Sequence, residues 1–219
     1  MKKIISLIAF SVLLATNIVK AQVNPDTEND WGYLSRYAKA NKELKAKNIK
    51  PDVVFIGNSI TENWAKMDSV FFQSNNFVGR GISGQTTGQF LVRFREDAVY
   101  LKPEVVLING GTNDIAENSG PYNEDYTFNN IITMADIAKQ NGIKVVLSSV
   151  IPAAGFNWNL QVTDVPEKIK SLNIRIKDYA NKNNIPYVDY YSKLIDANGR
   201  DIISSYASDG VHPVVDGYK

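Results

Sequence analysis

Short, nearly continuous runs of β-branched and aliphatic residues recur along the chain, and polar or glycine-containing segments separate them. The clearest runs cover residues 53–56, 105–108 and 145–150. Runs of this kind are typical of strands that are buried on both faces of a sheet. Two weaker runs, at residues 77–80 and 187–189, would complete a sheet of five strands.

The segments between these runs carry apolar residues at helical spacing. Residues 128–138 and 169–180 each repeat an apolar side chain every three or four positions, as amphipathic helices do. Asn141-Gly142 follows the first segment, and a glycine there is typical of a helix C-terminus. Residues 31–44 predict an additional helix, packed onto the sheet from outside. Alternating strands and helices imply right-handed crossovers, and therefore one α/β domain with a five-stranded parallel sheet.

The first 21 residues predict a signal peptide. Lys2 and Lys3 precede an apolar stretch at residues 4–19, and a Val-Lys-Ala ending fits cleavage before Gln22. An uncleaved membrane anchor is the alternative, but hydroxyl and amide side chains interrupt the stretch. We therefore expect an exported protein, periplasmic or secreted. Since no cysteine is present to carry a lipid, we also expect no lipid attachment and no stable membrane insertion after cleavage.

The remaining residues, 22–219, have the length of one domain with a well-buried core. Pro213 marks the start of a further helix, and the chain stops at Lys219. A sheet of this kind is normally covered by a helix at that point. We therefore expect a domain that lacks its C-terminal helix.

Composition narrows the possible chemistry. The chain has no cysteine and a single histidine, His212. Disulfides and thiolate metal sites are excluded, and a zinc site would depend almost wholly on carboxylates, so a metalloenzyme is disfavoured. Removing residues 1–21 takes away three lysines and no acidic residue, which changes the formal net charge from +1 to −2. Nucleic-acid-binding proteins usually carry a basic patch, so no nucleic-acid partner is expected.

Polar and glycine-rich motifs follow several of the predicted strands. They are Gly57-Asn58-Ser59, residues 81–85, residues 110–114 and, near the end of the chain, residues 209–212. In open parallel sheets, ligands bind outside the carboxyl ends of the strands. We therefore expect these motifs to meet at one edge of the sheet.

Together the motifs contain the parts that ester hydrolysis through an acyl-enzyme requires. Ser59 would attack the ester, His212 would take and return the proton, and Asp209 would fix the imidazole tautomer and stabilise its cationic form. The backbone N–H groups of Ser59 and Gly84 and the side-chain amide of Asn113 would form the oxyanion hole. Gly84 suits this role because a residue without a Cβ lets the backbone approach a substrate closely.

The chain resembles the SGNH or GDSL-type esterases and lipases, which are named for a Ser, Gly, Asn and His in four separate blocks. Those blocks occur here in order: Ser59 in Gly-Asn-Ser-Ile-Thr, Gly84 in Gly-Ile-Ser-Gly-Gln-Thr-Thr, Asn113 in Gly-Thr-Asn-Asp, and His212 in Asp-Gly-Val-His-Pro. The resemblance spans roughly residue 31 to the end. It implies a flavodoxin-like three-layer α/β/α sandwich (the SGNH hydrolase fold), a Ser-His-Asp mechanism, no metal and no cofactor.

One position departs from the family pattern, because Asn58 stands where the family usually has an aspartate before the serine. Asparagine can keep the turn, but a negative charge beside the nucleophile is lost. Since Asp209 already supplies the orienting carboxylate, we interpret this as a variation that leaves the Ser-His-Asp set intact.

Several of these residues also have purely structural interpretations. Ser59 could cap the helix that follows it. Asp209 and His212 could be turn residues before a helix that starts at Pro213. Asp114 has no assigned role, and it could cap the next segment.

Phe156 and Trp158 are candidate substrate-binding residues, because they lie in a loop that should leave the fourth strand at the same edge. Pockets of this kind are commonly lined by aromatics. The two rings could stack on a sugar, receive an acyl chain, or form a hydrophobic lid without selectivity. Arg80, Arg93 and Arg95 could bind an acidic substrate, although arginines on helix surfaces are usually solvated or paired.

The sequence thus predicts an exported serine esterase that removes acetyl or other short acyl groups from carbohydrate, with a small-molecule or glycan ester as its partner. The family also includes lysophospholipases and thioesterases, so a lysophospholipase or a broad acyl-ester or thioester hydrolase is the first alternative. A non-catalytic glycan-binding module on the same fold is the second. The intact Ser59, Asp209 and His212 argue against it.

Overall fold

The computed structural model describes residues 29–219, so the predicted signal peptide at residues 1–21 lies outside the described residues. Within that range, no helix combines the length and apolar character needed to cross a membrane. The same range contains a five-stranded sheet in the order β2-β1-β3-β4-β5, with every neighbouring pair parallel. The strands are β1 (Val53–Gly57), β2 (Phe77–Gly81), β3 (Val105–Ile108), β4 (Lys144–Ser148) and β5 (Tyr187–Val188).

All five predicted strands are confirmed, and the main difference lies at the end of β4. The apolar run continues to Val150, but the strand ends at Ser148. The backbone N–H of Val150 donates to Asn173 Oδ1 at 2.8 Å, and its carbonyl accepts from Asn173 Nδ2 at 2.9 Å. An amide side chain therefore replaces a neighbouring strand as the partner of this segment.

Helices connect the strands as the alternating pattern predicts. The α-helices are α1 (Ser35–Ala46), α2 (Ser59–Met67), α3 (Ser69–Ser74), α4 (Thr87–Asp97), α5 (Thr112–Ile115), α6 (Glu124–Gln140), α7 (Val165–Lys182), α8 (Tyr191–Leu194) and α9 (Val215–Tyr218), with a 3₁₀ turn at Val99–Leu101. The predicted helical segments lie inside α6 and α7. Asn141 is the C-cap of α6, and Gly142 follows it with a positive φ of 73°, the left-handed conformation that glycine adopts readily.

The sheet lies between two helical layers, so the predicted three-layer α/β sandwich is confirmed. Alternate strand residues such as Val54 and Val106 face the larger core, which includes Phe94 of α4 and Leu172 of α7. The intervening Phe55 faces a second cluster with helices α2 and α3. Each apolar side chain that is fully buried in this way contributes about 1.5–3 kcal/mol. The two cores therefore hold the carboxyl ends of the strands in a fixed arrangement.

Helix α1 packs at the edge of the sheet through Leu44, which lies against the larger core, and through polar contacts. Its buried residue is Asn41, whose amide nitrogen donates to Asp97 Oδ1 of α4 at 2.7 Å and whose oxygen accepts from Arg80 Nε of β2 at 2.9 Å. Trp31 and Leu34, which helped to predict this helix, precede its first residue and are exposed. The apolar pattern therefore located the helix but did not predict that its buried residue is polar.

Candidate active site

Ser59 is the first residue of α2 and follows β1 after a single residue. That residue, Asn58, is the N-cap: its Oδ1 accepts a hydrogen bond from the backbone N–H of Ile60 at 3.0 Å. The interpretation of Ser59 as the cap is therefore wrong, because asparagine already occupies that role. Gly81 of the adjacent strand β2 lets α2 begin this close to the sheet, since a Cβ there would lie 2.2 Å from the backbone nitrogen of Glu62.

The side chains of Ser59, His212 and Asp209 form a continuous hydrogen-bonded chain. Ser59 Oγ lies 2.8 Å from His212 Nε2, and His212 Nδ1 lies 2.7 Å from Asp209 Oδ2. The second carboxylate oxygen, Asp209 Oδ1, accepts from the backbone N–H groups of Val211 at 3.0 Å and His212 at 2.7 Å. One short turn therefore fixes the carboxylate against the imidazole, although 153 residues separate Ser59 from His212.

This turn also sets the protonation of Asp209. Burial alone would raise the pKa of the Asp209 carboxyl, but hydrogen bonds from the backbone and imidazole of His212 and from Val211 outweigh it, so the pKa is lowered. An ionised Asp209 accepts a hydrogen bond from the Nδ1–H group of a neutral His212. The lone pair of His212 Nε2 is then free to accept the Ser59 hydroxyl proton. The arrangement is therefore suited to general-base activation of a serine hydroxyl.

Gly84 and Asn113 line the same pocket as Ser59 and His212, a cavity of about 500 Å³. Gly84 has a φ of +79°, a conformation that other residues rarely adopt. Asn113 lies in α5, and its amide nitrogen donates to the carbonyl of Gln85 at 2.9 Å. Because an amide nitrogen carries two hydrogens, a second donor remains. Both predicted oxyanion residues thus lie in the pocket with the serine.

Trp158 also lines this pocket, and its ring centroid lies 6.1 Å from that of His212. The side chain is 47% exposed, in contrast to Phe156, which is 2% exposed and belongs to the main core. The prediction that Phe156 contacts substrate is therefore corrected. Phe156 packs against Trp158 at a centroid distance of 5.1 Å and supports it from inside the protein.

Two polar residues whose role the sequence did not reveal hold the loop that carries Gly84. Glu62 of α2 accepts hydrogen bonds from Ser83, the residue before Gly84. Arg93 of α4 is fully buried and donates to Gln85 Oε1 at 2.6 Å and to the carbonyl of Gly57 at 2.9 Å. Arg93 is therefore paired, which is one of the two ordinary roles expected of such arginines, but it lies in the interior and not on a helix surface. The i, i+4 pair of Arg93 and Asp97 lies beside the buried Phe90 and Phe94, a spacing that could have revealed its burial.

Asp114, the residue without an assigned role, caps another helix. Its carboxylate accepts from the backbone N–H of Thr87 at 3.1 Å and from the Thr87 hydroxyl at 2.5 Å. Burial raises the pKa of the Asp114 carboxyl, although the Thr87 hydrogen bonds oppose the shift. Asp114 therefore joins α5 to the N-terminus of α4 and holds Asn113 at the pocket from behind.

Comparisons with known proteins cover most of the described chain. The sequence model of the GDSL-like Lipase/Acylhydrolase family matches residues 55–219. A candidate acylhydrolase of known structure from Bacteroides fragilis NCTC 9343 is 53% identical; the match covers 86% of this chain and 91% of that chain, with a TM-score of 0.83. The uncharacterized lipoprotein YqeF of Bacillus subtilis strain 168 is 25% identical over 179 residues, which are 68% of this chain and 74% of YqeF.

A more distant structure shares the fold alone. It is an acetylxylan esterase from Geobacillus stearothermophilus, 20% identical, with a TM-score of 0.60. The match covers 76% of this chain and 88% of the esterase chain.

Proposed function

Because the chain belongs to the GDSL-like lipase/acylhydrolase family and is a carboxylic ester hydrolase, we propose that it removes acetyl or other short acyl groups from carbohydrate esters. Ser59, His212 and Asp209 carry the reaction in this proposal. The observation that supports it is the hydrogen-bonded chain from Ser59 Oγ to His212 Nε2, at 2.8 Å, and from His212 Nδ1 to Asp209 Oδ2, at 2.7 Å.

In the first half of the proposed reaction, Ser59 Oγ attacks the ester carbonyl carbon while its proton moves to His212 Nε2. The carbonyl oxygen becomes an oxyanion, which the backbone N–H groups of Ser59 and Gly84 and the free amide hydrogen of Asn113 stabilise. The bond to the alcohol oxygen then breaks, and the alcohol leaves with the proton from His212. An acyl group remains on Ser59.

In the second half, a water molecule attacks the acyl carbon and gives a proton to His212 Nε2. The tetrahedral intermediate collapses, the carboxylic acid leaves, and the proton returns to Ser59 Oγ. Asp209 stays ionised throughout. It keeps the hydrogen of the neutral imidazole on Nδ1 and stabilises the cation that forms twice in each cycle.

The lining of the pocket favours a small acyl group on a polar alcohol. Beside the residues assigned above, it consists of hydroxyl and amide side chains, namely Asn63, Ser83 and Asn118, and one large aromatic, Trp158. Among these lining residues in the described part of the chain, no aliphatic side chain offers a surface for a long acyl chain. The acetylxylan esterase of similar fold shows that this scaffold accommodates such a reaction in another protein.

Hydrolysis of model substrates tests the proposed specificity. We expect the protein expressed without residues 1–21 to release acetate from acetylated sugars, and to cleave 4-nitrophenyl esters at rates that fall from acetyl to long acyl chains. Rates that rise with chain length would instead support a lysophospholipase or broad acyl-ester hydrolase. A fluorophosphonate probe, read by mass spectrometry, should label Ser59 and leave Ser59→Ala unlabelled. A folded protein without that adduct would support a glycan-binding module.

We also propose that the protein acts outside the cytoplasm. The support is the signal-like character of residues 1–21 and the similarity to YqeF, whose name identifies it as a lipoprotein. Because this chain has no cysteine for a lipid, cleavage would release it in unanchored form, with glycan esters as its accessible substrates. N-terminal sequencing of the exported protein tests this, with Gln22 expected as the first residue. Recovery of the full-length chain in the membrane fraction would contradict the proposal.

A further inference from the structure

The indole N–H of Trp158 is already engaged within the protein. It donates to Asn118 Oδ1 at 2.9 Å, while the side chain remains 47% exposed at the pocket. A buried or half-buried tryptophan normally needs a partner for this group. Because Asn118 supplies that partner, Trp158 offers a ligand its aromatic surface and no hydrogen-bond donor.

Asn118 contacts the Gly84 loop with the other end of the same amide. Its Nδ2 donates to the carbonyl of Gly84 at 3.0 Å, and its backbone N–H donates to the carbonyl of Asn113 at 3.0 Å. Asn118 lines the pocket and is itself exposed. One asparagine therefore connects the aromatic ring with both candidate oxyanion residues.

The position of Trp158 relative to His212 indicates which part of an ester it contacts. In the proposed function, on which this inference depends, the alcohol leaves with a proton from His212 Nε2, so it must lie beside that imidazole. The two ring centroids are 6.1 Å apart, with an angle of 36° between the planes. Trp158 is therefore placed to contact the leaving alcohol.

We propose that Asn118 is a specificity-determining residue that orients Trp158 as a stacking surface for the leaving alcohol, and that this alcohol is a pyranose ring. A pyranose presents C–H groups on its faces and hydroxyls around its rim. It can therefore lie on an aromatic ring while its hydroxyls bond to amides such as that of Asn63, which also lines the pocket. An acyclic alcohol has no comparable flat surface.

The Asn118 amide accepts one hydrogen bond and donates the other, so substitutions can separate its effect on Trp158 from its effect on Gly84. Asn118→Ala removes the partners of both Trp158 and Gly84. Asn118→Asp keeps an acceptor for the indole but removes the donor to the Gly84 carbonyl. Trp158→Ala removes the stacking surface and leaves Asn118 in place. The fold should tolerate these changes, since Asn159 Nδ2 also ties this loop to the carbonyl of Ala116 at 3.0 Å.

The test compares a monoacetylated methyl pyranoside with 2-hydroxyethyl acetate, an acyclic ester of a polar alcohol. We expect Trp158→Ala and Asn118→Ala to raise KM for the pyranoside about tenfold, the size of one aromatic contact, and to leave KM for the acyclic ester nearly unchanged. Asn118→Asp should lower kcat for both substrates with little change in KM. Asn129→Ala, an exposed asparagine on α6, is the matched control and should resemble the wild type.

Failure of this inference can be distinguished from failure of the proposed function. If the wild type hydrolyses both esters but Trp158→Ala and Asn118→Ala change KM equally for the two substrates, or for neither, the stacking subsite is wrong and the esterase proposal stands. If the folded wild type hydrolyses neither ester and no fluorophosphonate adduct forms on Ser59, the proposed function itself is wrong.

Discussion

The Glu62 carboxylate accepts two hydrogen bonds from Ser83, one from its backbone N–H and one from its hydroxyl, each at 2.7 Å. Glu62 lies three residues after Ser59 in α2, and Ser83 immediately precedes Gly84. A single carboxylate therefore joins the helix of the proposed nucleophile to the loop of a proposed oxyanion donor. Arg36 at 3.0 Å and Lys66 at 2.8 Å compensate its charge.

Stability in acid should depend on Glu62. Burial alone would raise its pKa, but hydrogen bonds from Lys66, Ser83 and Arg36 lower it from 4.5 to about 2. Because the folded pKa lies below the unfolded one, the ionised carboxylate stabilises the fold fully above about pH 4.5, and this contribution is lost as the pH falls towards 2. We expect Glu62→Gln to lower Tm at neutral pH, and the difference from the wild type to shrink across that window.

Circular dichroism melts between pH 2 and 7 measure this effect. Glu96→Gln is the control, because Glu96 is half exposed and its ion pair with Lys45 is 3.8 Å long, so its Tm curve should parallel that of the wild type. A Tm difference for Glu62→Gln that stays constant from pH 7 to pH 2 would contradict the ionised, hydrogen-bonded state of Glu62.

The strands and the residues of the candidate site could be predicted from sequence because both follow local rules. Runs such as residues 53–56 must be buried on both faces, and the motif after each run must lie at the carboxyl edge of the sheet. That rule does not reach His212, which lies well beyond the last strand, β5 (Tyr187–Val188). Its proximity to Ser59 was implied by the resemblance of the four sequence blocks to the esterase family.

The contacts that support the site could not be predicted in the same way. Glu62 and Ser83 are 21 residues apart, and nothing in either local sequence marks them as partners. Phe156 and Trp158 are both aromatic and only two residues apart, yet one is buried and the other exposed. Such differences depend on how an irregular loop packs, which hydrophobic periodicity does not encode.

Asp209→Asn should reduce activity through the imidazole tautomer. An asparagine amide would donate a hydrogen bond to His212 Nδ1, where the carboxylate accepts one. The imidazole hydrogen would then lie on Nε2, and Nε2 would have no lone pair to accept the Ser59 proton. We expect kcat for an acetyl ester to fall by about 10⁴-fold, as for the equivalent change in other Ser-His-Asp enzymes. Asp216→Asn, an exposed aspartate in α9, is the control. Activity within tenfold of the wild type would show that Asp209 does not orient His212.

Arg93 should be essential for stability, because it is fully buried and pairs with Asp97 at 2.9 Å. Arg93→Ala would leave the Asp97 charge buried with Asn41 as its remaining side-chain partner. We expect the free energy of unfolding to fall by about 3–5 kcal/mol, measured by urea denaturation. The double variant Arg93→Leu/Asp97→Leu should be less destabilised, since neither member of the pair is left buried without the other. Equal losses in both would show that the Arg93 contacts to backbone dominate.

Tyr218 links the segment that carries His212 to the helix that carries Ser59. Its hydroxyl donates to the carbonyl of Ile60 at 2.8 Å, and its ring stacks on Trp64 with centroids 5.8 Å apart and planes 10° from parallel. His212 is six residues upstream. The distance between Ser59 and His212 therefore depends in part on a contact outside the pocket.

Substitutions at Tyr218 should separate its hydrogen bond from its stacking. Tyr218→Phe removes only the hydroxyl, so we expect a loss of about 0.5–1.5 kcal/mol in urea denaturation and nearly normal fluorophosphonate labelling of Ser59. Tyr218→Ala also removes the stacked ring, and the labelling rate should fall several-fold because His212 is no longer held beside the serine. Tyr126→Ala, whose side chain is 71% exposed, controls for the loss of a tyrosine. If Tyr218→Ala folds and labels at the wild-type rate, the pairing of Ser59 with His212 is maintained by the Asp209 turn without help from this contact.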